Sequence, residues 1–77
     1  MALDYDALLG LTSELGYRLM ESGAEIYRVE ESVQRLLRAY GVTTGEVFAI
    51  PNLVIVSLTD PNGHPVTRVR RIPPHGT

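Results

Sequence analysis

The chain contains no cysteine, no tryptophan and no lysine. The absence of cysteine excludes several classes of protein. Without a thiol there is no disulfide scaffold, no iron–sulfur cluster and no thiolate zinc site. The histidines are limited to His64 and His75, so a histidine-rich metal site is excluded as well. The residues therefore predict neither a bound metal nor a cofactor.

Long apolar runs are missing too. The longest uncharged run around the predicted strands, residues 47–59, contains Pro51-Asn52 and falls short of the ~20 apolar residues that a membrane-spanning helix needs. Near the N-terminus, acidic residues stand where a signal peptide would carry positive charge. We therefore expect a cytoplasmic chain that does not cross a bilayer by itself.

The 77 residues, with 44% hydrophobic content and a net charge of −2, suit one small folded domain over residues 1–77. The apolar spacing over residues 4–21 predicts a helix. Its main stripe is Leu8, Leu11, Leu15 and Leu19. A second row widens the apolar arc to about half the circumference; it comprises Tyr5, Leu9, Gly16 and Met20. Such a helix should contact more than one surface, and Gly16 suggests close approach of another backbone.

A second helix is predicted over residues 23–40, followed by Gly41 in the position of a left-handed cap. The sequence Ser22-Gly23-Ala24-Glu25 matches a capping box. In that motif Ser22 would accept from the third helical N–H and Glu25 would reach back to the start. An anion could also dock at this helix N-terminus beside Arg28, although capping is the favoured role of Ser22 and Glu25.

From residue 46 the period changes from 3.6 to two, which predicts strands over residues 46–50, 53–59 and 66–72. Turn sequences separate the strands, so the sheet should be antiparallel. The predicted fold is therefore α+β, with two N-terminal helices packed on one face of a three-stranded antiparallel meander (ααβββ). Residues 73–77 are expected to be a connector to a missing segment.

Glu30 lies near the edge of the apolar stripe of the second helix. A carboxylate there is partly desolvated, and its functional interpretation is a ligand-binding or proton-linked acid. The structural interpretation, which we favour, is a boundary glutamate that bends outward or pairs with Arg68 or Arg70 of the edge strand.

Two further functions are weakly supported by the residues. A hydrolytic triad of Ser57, His64 and Asp60 lacks the glycines of a nucleophile elbow. Two helices followed by a hairpin resemble a winged helix-turn-helix, with arginines on the last strand to follow phosphates. The acidic second helix and the negative net charge argue against that nucleic-acid binder.

Several motifs along the sequence resemble a known family. Residues 21–31 (ESGAEIYRVEE), continuing through 36–41 (LLRAYG), are similar to the signature at the start of the threonine/serine exporter (ThrE-like) family. The strand motifs EVFAIP (46–51), VIVSL (54–58) and TRVRRIP (67–73) follow in the order and spacing of that family. The resemblance covers roughly residues 7–73.

The resemblance implies a role within an amino-acid exporter of the cytoplasmic membrane, whose members carry a soluble N-terminal region ahead of a block of transmembrane helices. A hydrolase-like character is also implied, but the residues offer no nucleophile and base for it, so no catalytic residue is assigned. The positions that carry over as ligand or interface candidates are Glu21, Gly23, Glu25, Arg28, Glu30, Pro51 and Ser57. Arg68 and Arg70 join them from the residues alone.

We therefore expect the cytoplasmic N-terminal module of a threonine/serine exporter-type transporter, at the cytoplasmic face of the membrane, acting in assembly or gating rather than carrying substrate. It is expected not to be an enzyme and not to bind nucleic acid. Its partner would be a second copy or a transmembrane segment or subunit, docked through the first helix and the arginine-bearing edge strand. The alternatives are a stand-alone module that binds a small amino acid or oligomerises, a winged-helix-like nucleic-acid binder, and a hydrolase-like domain.

Overall fold

The computed structural model describes residues 3–73. Its elements follow the order α1 (Tyr5–Glu21), α2 (Ile26–Ala39), β1 (Glu46–Ile50), β2 (Leu53–Thr59) and β3 (Pro65–Arg71). The predicted α+β arrangement is confirmed, and the bounds of β1 and β2 are as predicted. Residues 74–77 of the predicted connector, including His75, lie outside the described residues. Neither α1 nor α2 is long and apolar enough to span a bilayer.

The strands form one antiparallel sheet in the order β1-β2-β3. Pro51-Asn52 joins β1 to β2, with Ile50 opposite Leu53. The turn between β2 and β3 is held by the Asp60 carboxylate, which accepts hydrogen bonds from the backbone N–H groups of Asn62 at 2.9 Å and His64 at 2.8 Å. Both turn predictions are therefore confirmed.

The helices lie on one face of the sheet, and the core is between the two layers. α1 contacts β2, β3 and α2, while α2 contacts α1 and β1. The fully buried apolar side chains of the core come from both helices and the central strand: Leu9 of α1, Val29, Val33 and Leu37 of α2, and Val54, Val56 and Leu58 of β2. The central strand thus contributes its alternate residues to the core, as a strand covered on one face should.

The buried face of α1 differs from the predicted stripe. Leu11 is 48% exposed, whereas Thr12 and Ser13 are fully buried. Both hydroxyls can be buried because each bonds within the helix: Thr12 donates to the Leu8 carbonyl at 2.9 Å and Ser13 to the Gly10 carbonyl at 3.1 Å. The placement of Leu11 in the core stripe was wrong, because locally satisfied hydroxyls take the inward position.

Gly16 does lie where another element approaches closely, as predicted, but the neighbour is a side chain rather than a backbone. A Cβ at this position would stand 2.9 Å from Val54 Cγ1 and 3.6 Å from Val33 Cγ2. Contacts below 3 Å between carbon atoms are repulsive. The absence of a side chain at Gly16 therefore lets α1 settle between β2 and α2.

The predicted capping box is wrong. Ser22 is instead the C-cap residue of α1, and its hydroxyl donates to the Leu19 carbonyl at 2.8 Å. Gly23 has φ +91°, and the N–H groups of Gly23 and Ala24 donate back to carbonyls of the last α1 turn, at 3.1 and 3.0 Å. Residues 22–24 thus form a Schellman motif that ends α1, and they are not available to begin α2. α2 therefore begins at Ile26, three residues later than predicted, and its N-cap residue Glu25 makes no side-chain cap.

Candidate functional site

The sequence-derived candidate residues are spread over five places in the fold. Glu21, Gly23, Glu25 and Arg28 lie at the junction between the two helices. The other candidates lie elsewhere: Glu30 beside β1, Arg68 and Arg70 against α1, Ser57 on the sheet face that the helices leave uncovered, and Pro51 in the first turn. The structure therefore does not gather them into one pocket-like cluster.

The helix junction is open to solvent. Glu25 and Arg28 are exposed, and α2 begins without a side-chain cap. Glu21 accepts a hydrogen bond from the Tyr17 hydroxyl at 3.1 Å. That bond to a carboxylate raises the pKa of Tyr17 above its usual value. The start of α2 thus has no side-chain cap and carries Arg28 in its first turn, two features that the anion hypothesis expects.

Glu30 is bound to the sheet, and its partner is not an arginine. Its carboxylate accepts a hydrogen bond from the Ala49 backbone N–H at 2.9 Å. Ala49 lies on β1, an edge strand, so Glu30 supplies the acceptor for an N–H on the open side of that strand. One turn further along α2, the Gln34 amide donates to the Gly45 carbonyl at 3.0 Å. The predicted pairing of Glu30 with Arg68 or Arg70 was wrong, because α2 lies beside the opposite edge of the sheet.

Arg70 belongs to a charged cluster between β3 and α1. Its guanidinium donates to Glu14 at 2.7 Å and lies 4.3 Å above the centre of the Tyr17 ring. Arg18 donates to the same carboxylate at 2.8 Å. The hydrogen bond from Arg18, followed by that from Arg70, lowers the pKa of Glu14. The same pairing raises the pKa of Arg18.

Arg68 is also turned towards α1, where it donates to Asp6 at 3.3 Å. Arg68 and Arg70 share the helix-facing side of β3 with Val66. Both arginines thus fasten the edge strand to α1. Their guanidinium groups are committed to carboxylates of this chain, which leaves Arg71 as the outward-facing cation of β3.

Ser57 and the two turn residues do not form a catalytic group. The Ser57 hydroxyl lies 3.0 Å from the Thr67 hydroxyl across the strands. The Asp60 carboxylate holds the backbone of the β2–β3 turn, and its second oxygen is 3.7 Å from His64 Nδ1. Each group is explained by local structure, and no contact joins Ser57 to the Asp60–His64 pair. Within residues 3–73 no three acidic or histidine side chains converge as metal ligands do.

Two apolar surfaces lie on the outside of the domain: one on α1, the helix that the sequence predicts to dock on a partner, and one on the sheet, which is not among the predicted sites. One is the α1 flank, defined here as Leu11 with the partly buried Leu15 and Leu19 one and two turns further on. The other is the outer sheet face, formed by the strand residues that point away from the helices. Its centre is the row Phe48, Ile55 and Val69. The sequence does contain a signal for this face: along the strands, large apolar residues occur both at the positions that face the helices and at the alternate positions that face away from them.

Comparison with known protein families gives a match over most of the chain. The family model described as "Putative threonine/serine exporter" (ThrE) matches residues 11–77. The search of curated proteins and the search of solved structures each found nothing that matches. The matched residues include the latter part of α1, all of α2 and the whole sheet.

Proposed function

The chain belongs to the threonine/serine exporter family, and we propose that it acts there as a cytoplasmic N-terminal module in assembly or gating of a membrane transporter. In this proposal the module lies at the cytoplasmic face of the membrane and carries no substrate itself. The observation that supports it best is the family match across residues 11–77, in a part of the chain whose helices do not span a bilayer. We propose no chemical reaction for the module.

The α1 flank is the surface that we assign to a transmembrane segment or subunit of the exporter. Leu11 is 48% exposed, although leucine in a helix of a small domain usually faces the core. Covering an apolar side chain in this position with a partner is favourable, because it removes apolar surface from water. The edge strand β3, by contrast, fits this role poorly, because its Arg68 and Arg70 already bind Asp6 and Glu14 of α1.

The test is threonine efflux from cells that encode the chain. Deletion of its coding sequence, followed by loading of the cells with labelled threonine, should slow the loss of label, and the wild-type chain should restore it. Leu11→Gln should restore little, because it removes the apolar contact but retains helix propensity. The matched control is Tyr40→Gln, which changes a residue of similar exposure, 50%, away from the flank.

Efflux that is unchanged by the deletion would contradict the exporter role. Restoration by Leu11→Gln to the same level as by Tyr40→Gln would contradict the assignment of the α1 flank but not the role. A separate measurement tests the small-ligand alternative: titration of the chain with threonine or serine, followed by amide chemical shifts. Shifts centred on Glu25 and Arg28 would support a binding module, and their absence would remove the helix junction as its site.

A further inference from the structure

The outer sheet face carries a contiguous apolar surface with no partner among residues 3–73. Both helices contact the sheet on its other side. Phe48 is 57% exposed and Val69 54% exposed, and they flank Ile55 in one cross-strand row. The next row adds Ile50 and Leu53. Adjacent exposed apolar side chains of this kind mark interaction surfaces, whereas scattered ones do not.

Charges stand at two opposite corners of this face. Glu46 on β1 shares a row with Ser57 and Thr67, and Arg71 on β3 shares a row with Ile50 and Leu53. The apolar row of Phe48, Ile55 and Val69 lies between these two rows. Both charged side chains are exposed, and within residues 3–73 neither takes part in an ion pair. The face therefore has a negative corner, an apolar centre and a positive corner along one diagonal.

From this pattern we propose that the outer sheet face binds the same face of a second copy of the chain, forming a two-fold dimer. The midpoint of the diagonal between Glu46 and Arg71 is Ile55. Consider a two-fold axis that lies in the plane between the two copies, passes over Ile55 and is perpendicular to this diagonal. Rotation about that axis places Glu46 of each copy opposite Arg71 of the other. The pattern is thus self-complementary, as an isologous interface must be.

The spacing of a sheet allows the packing angle to be worked out. Strands lie about 4.8 Å apart and alternate residues about 6.8 Å apart, so the two corners are separated by about 17 Å. The axis that exchanges them makes the strands of the two copies cross at about 70°, close to the orthogonal class of sheet packing. The dimer therefore uses a known way of packing two sheets, with the apolar rows buried at its centre.

Other ways of joining two copies are less consistent with the structure. Addition of a strand at β1 would compete with Glu30 and Gln34, whose side chains already bind the backbone of Ala49 and Gly45 along that edge. Such side-chain cover is how natural sheets prevent edge-to-edge pairing. The α1 flank is apolar but carries no comparable pair of opposite corner charges. The outer sheet face is the surface that has both apolar area and charge complementarity.

The experiment exploits the two-fold symmetry. Glu46→Arg places like charges at both corner contacts of a dimer, and Arg71→Glu does the same with the opposite sign. Each variant alone should dissociate at least about tenfold more readily than the wild-type chain, because each repulsion occurs twice and like charges across an interface are costly. An equimolar mixture should form a one-to-one heterodimer, since both corners then carry opposite charges. Sedimentation equilibrium over a concentration series, with circular dichroism to confirm the fold, measures all of these.

The matched control is the pair Glu31→Arg and Arg38→Glu, which makes the same charge changes at exposed positions of α2. These variants should dimerise like the wild-type chain, alone and mixed. A wild-type chain that remains monomeric up to about 1 mM would overturn the proposal, since weaker binding is worth less than about 4 kcal/mol. Single corner variants that dimerise normally would overturn it as well, as would a dimer that is lost with Leu11→Gln instead. None of these outcomes depends on threonine efflux, so this proposal and the exporter role fail separately.

Discussion

The two glycines inside α1 offer a test of how closely the helix packs on the sheet. Gly10 and Gly16 both lie in the helix interior, where glycine costs about 1 kcal/mol relative to alanine. Their surroundings differ. A Cβ at Gly10 would meet its nearest neighbour, Arg68 Nη1, at 3.7 Å, which is an ordinary contact, whereas a Cβ at Gly16 would lie 2.9 Å from Val54 Cγ1.

The expected changes in unfolding free energy follow from these distances. Gly10→Ala should stabilise the chain by about 1 kcal/mol, because it gains helix propensity without a clash. Gly16→Ala gains the same propensity, but overpacking of a core costs about 1–3 kcal/mol. Val54 is fully buried and β-branched, so it has few rotamers with which to yield. The difference between the two variants should therefore be about 1–3 kcal/mol.

Urea denaturation followed by circular dichroism measures this difference. With a denaturant slope of about 1 kcal/mol/M for a small domain, the midpoint of Gly10→Ala should lie about 1–3 M above that of Gly16→Ala. Both variants should be measured at one low concentration, because self-association adds to apparent stability. Removal of the obstructing methyl groups with Val54→Ala should make Gly16→Ala less harmful than it is in the wild-type background. Coincident midpoints for the two glycine variants would refute the packing argument.

Three other predictions concern single contacts. Glu30→Ala leaves the Ala49 N–H without its acceptor and should cost about 1–3 kcal/mol, whereas Glu30→Gln keeps an acceptor and should cost less; equal losses in urea denaturation would contradict this. Hydrogen bonds from two arginines lower the pKa of folded Glu14, so its stabilising contribution is present above the ordinary carboxyl pKa and is lost as pH falls through the lowered one. Thermal melts across the acid range should therefore show a shallower loss of stability for Glu14→Gln, and parallel curves would count against it. Gly23→Ala should lower the unfolding free energy by about 1 kcal/mol, since φ is +91° there, and an unchanged melting temperature would rule out the strain.

The parts of the fold that the sequence predicts best are those where one local signal acts alone. The β1–β2 hairpin is bounded on both sides of Pro51-Asn52, and its strands begin and end at the predicted residues. The helix junction is different, because two signals overlap there. Ser22 and Glu25 have capping-box spacing, but Gly23 can also end α1 in a left-handed conformation, and the structure uses it in that way. Spacing alone does not show which of two helix ends a serine serves.

The candidate site shows a similar division. Helical periodicity identified Glu30 as a carboxylate at the boundary of the core, and it is half-buried in the structure. Its partner, however, depends on which sheet edge α2 lies beside, and that choice is made by tertiary packing. Leu11 and Thr12 show a second limit. Hydrophobicity ranks leucine as the core residue, but it takes no account of a hydroxyl that bonds back to its own helix.

The two proposed surfaces lie on different sides of the molecule, and this bears on how they could work together. α1 covers the inner face of the sheet, so a dimer formed through the outer sheet faces would have four layers, with helices outermost and the two sheets at the centre. Each α1 flank would then remain accessible with Leu11 exposed. A dimer of this kind presents two equivalent docking surfaces related by the two-fold axis, and it could therefore hold two exporter subunits in a fixed arrangement. The geometry makes self-association and docking to a transmembrane partner compatible rather than competing uses of this small domain.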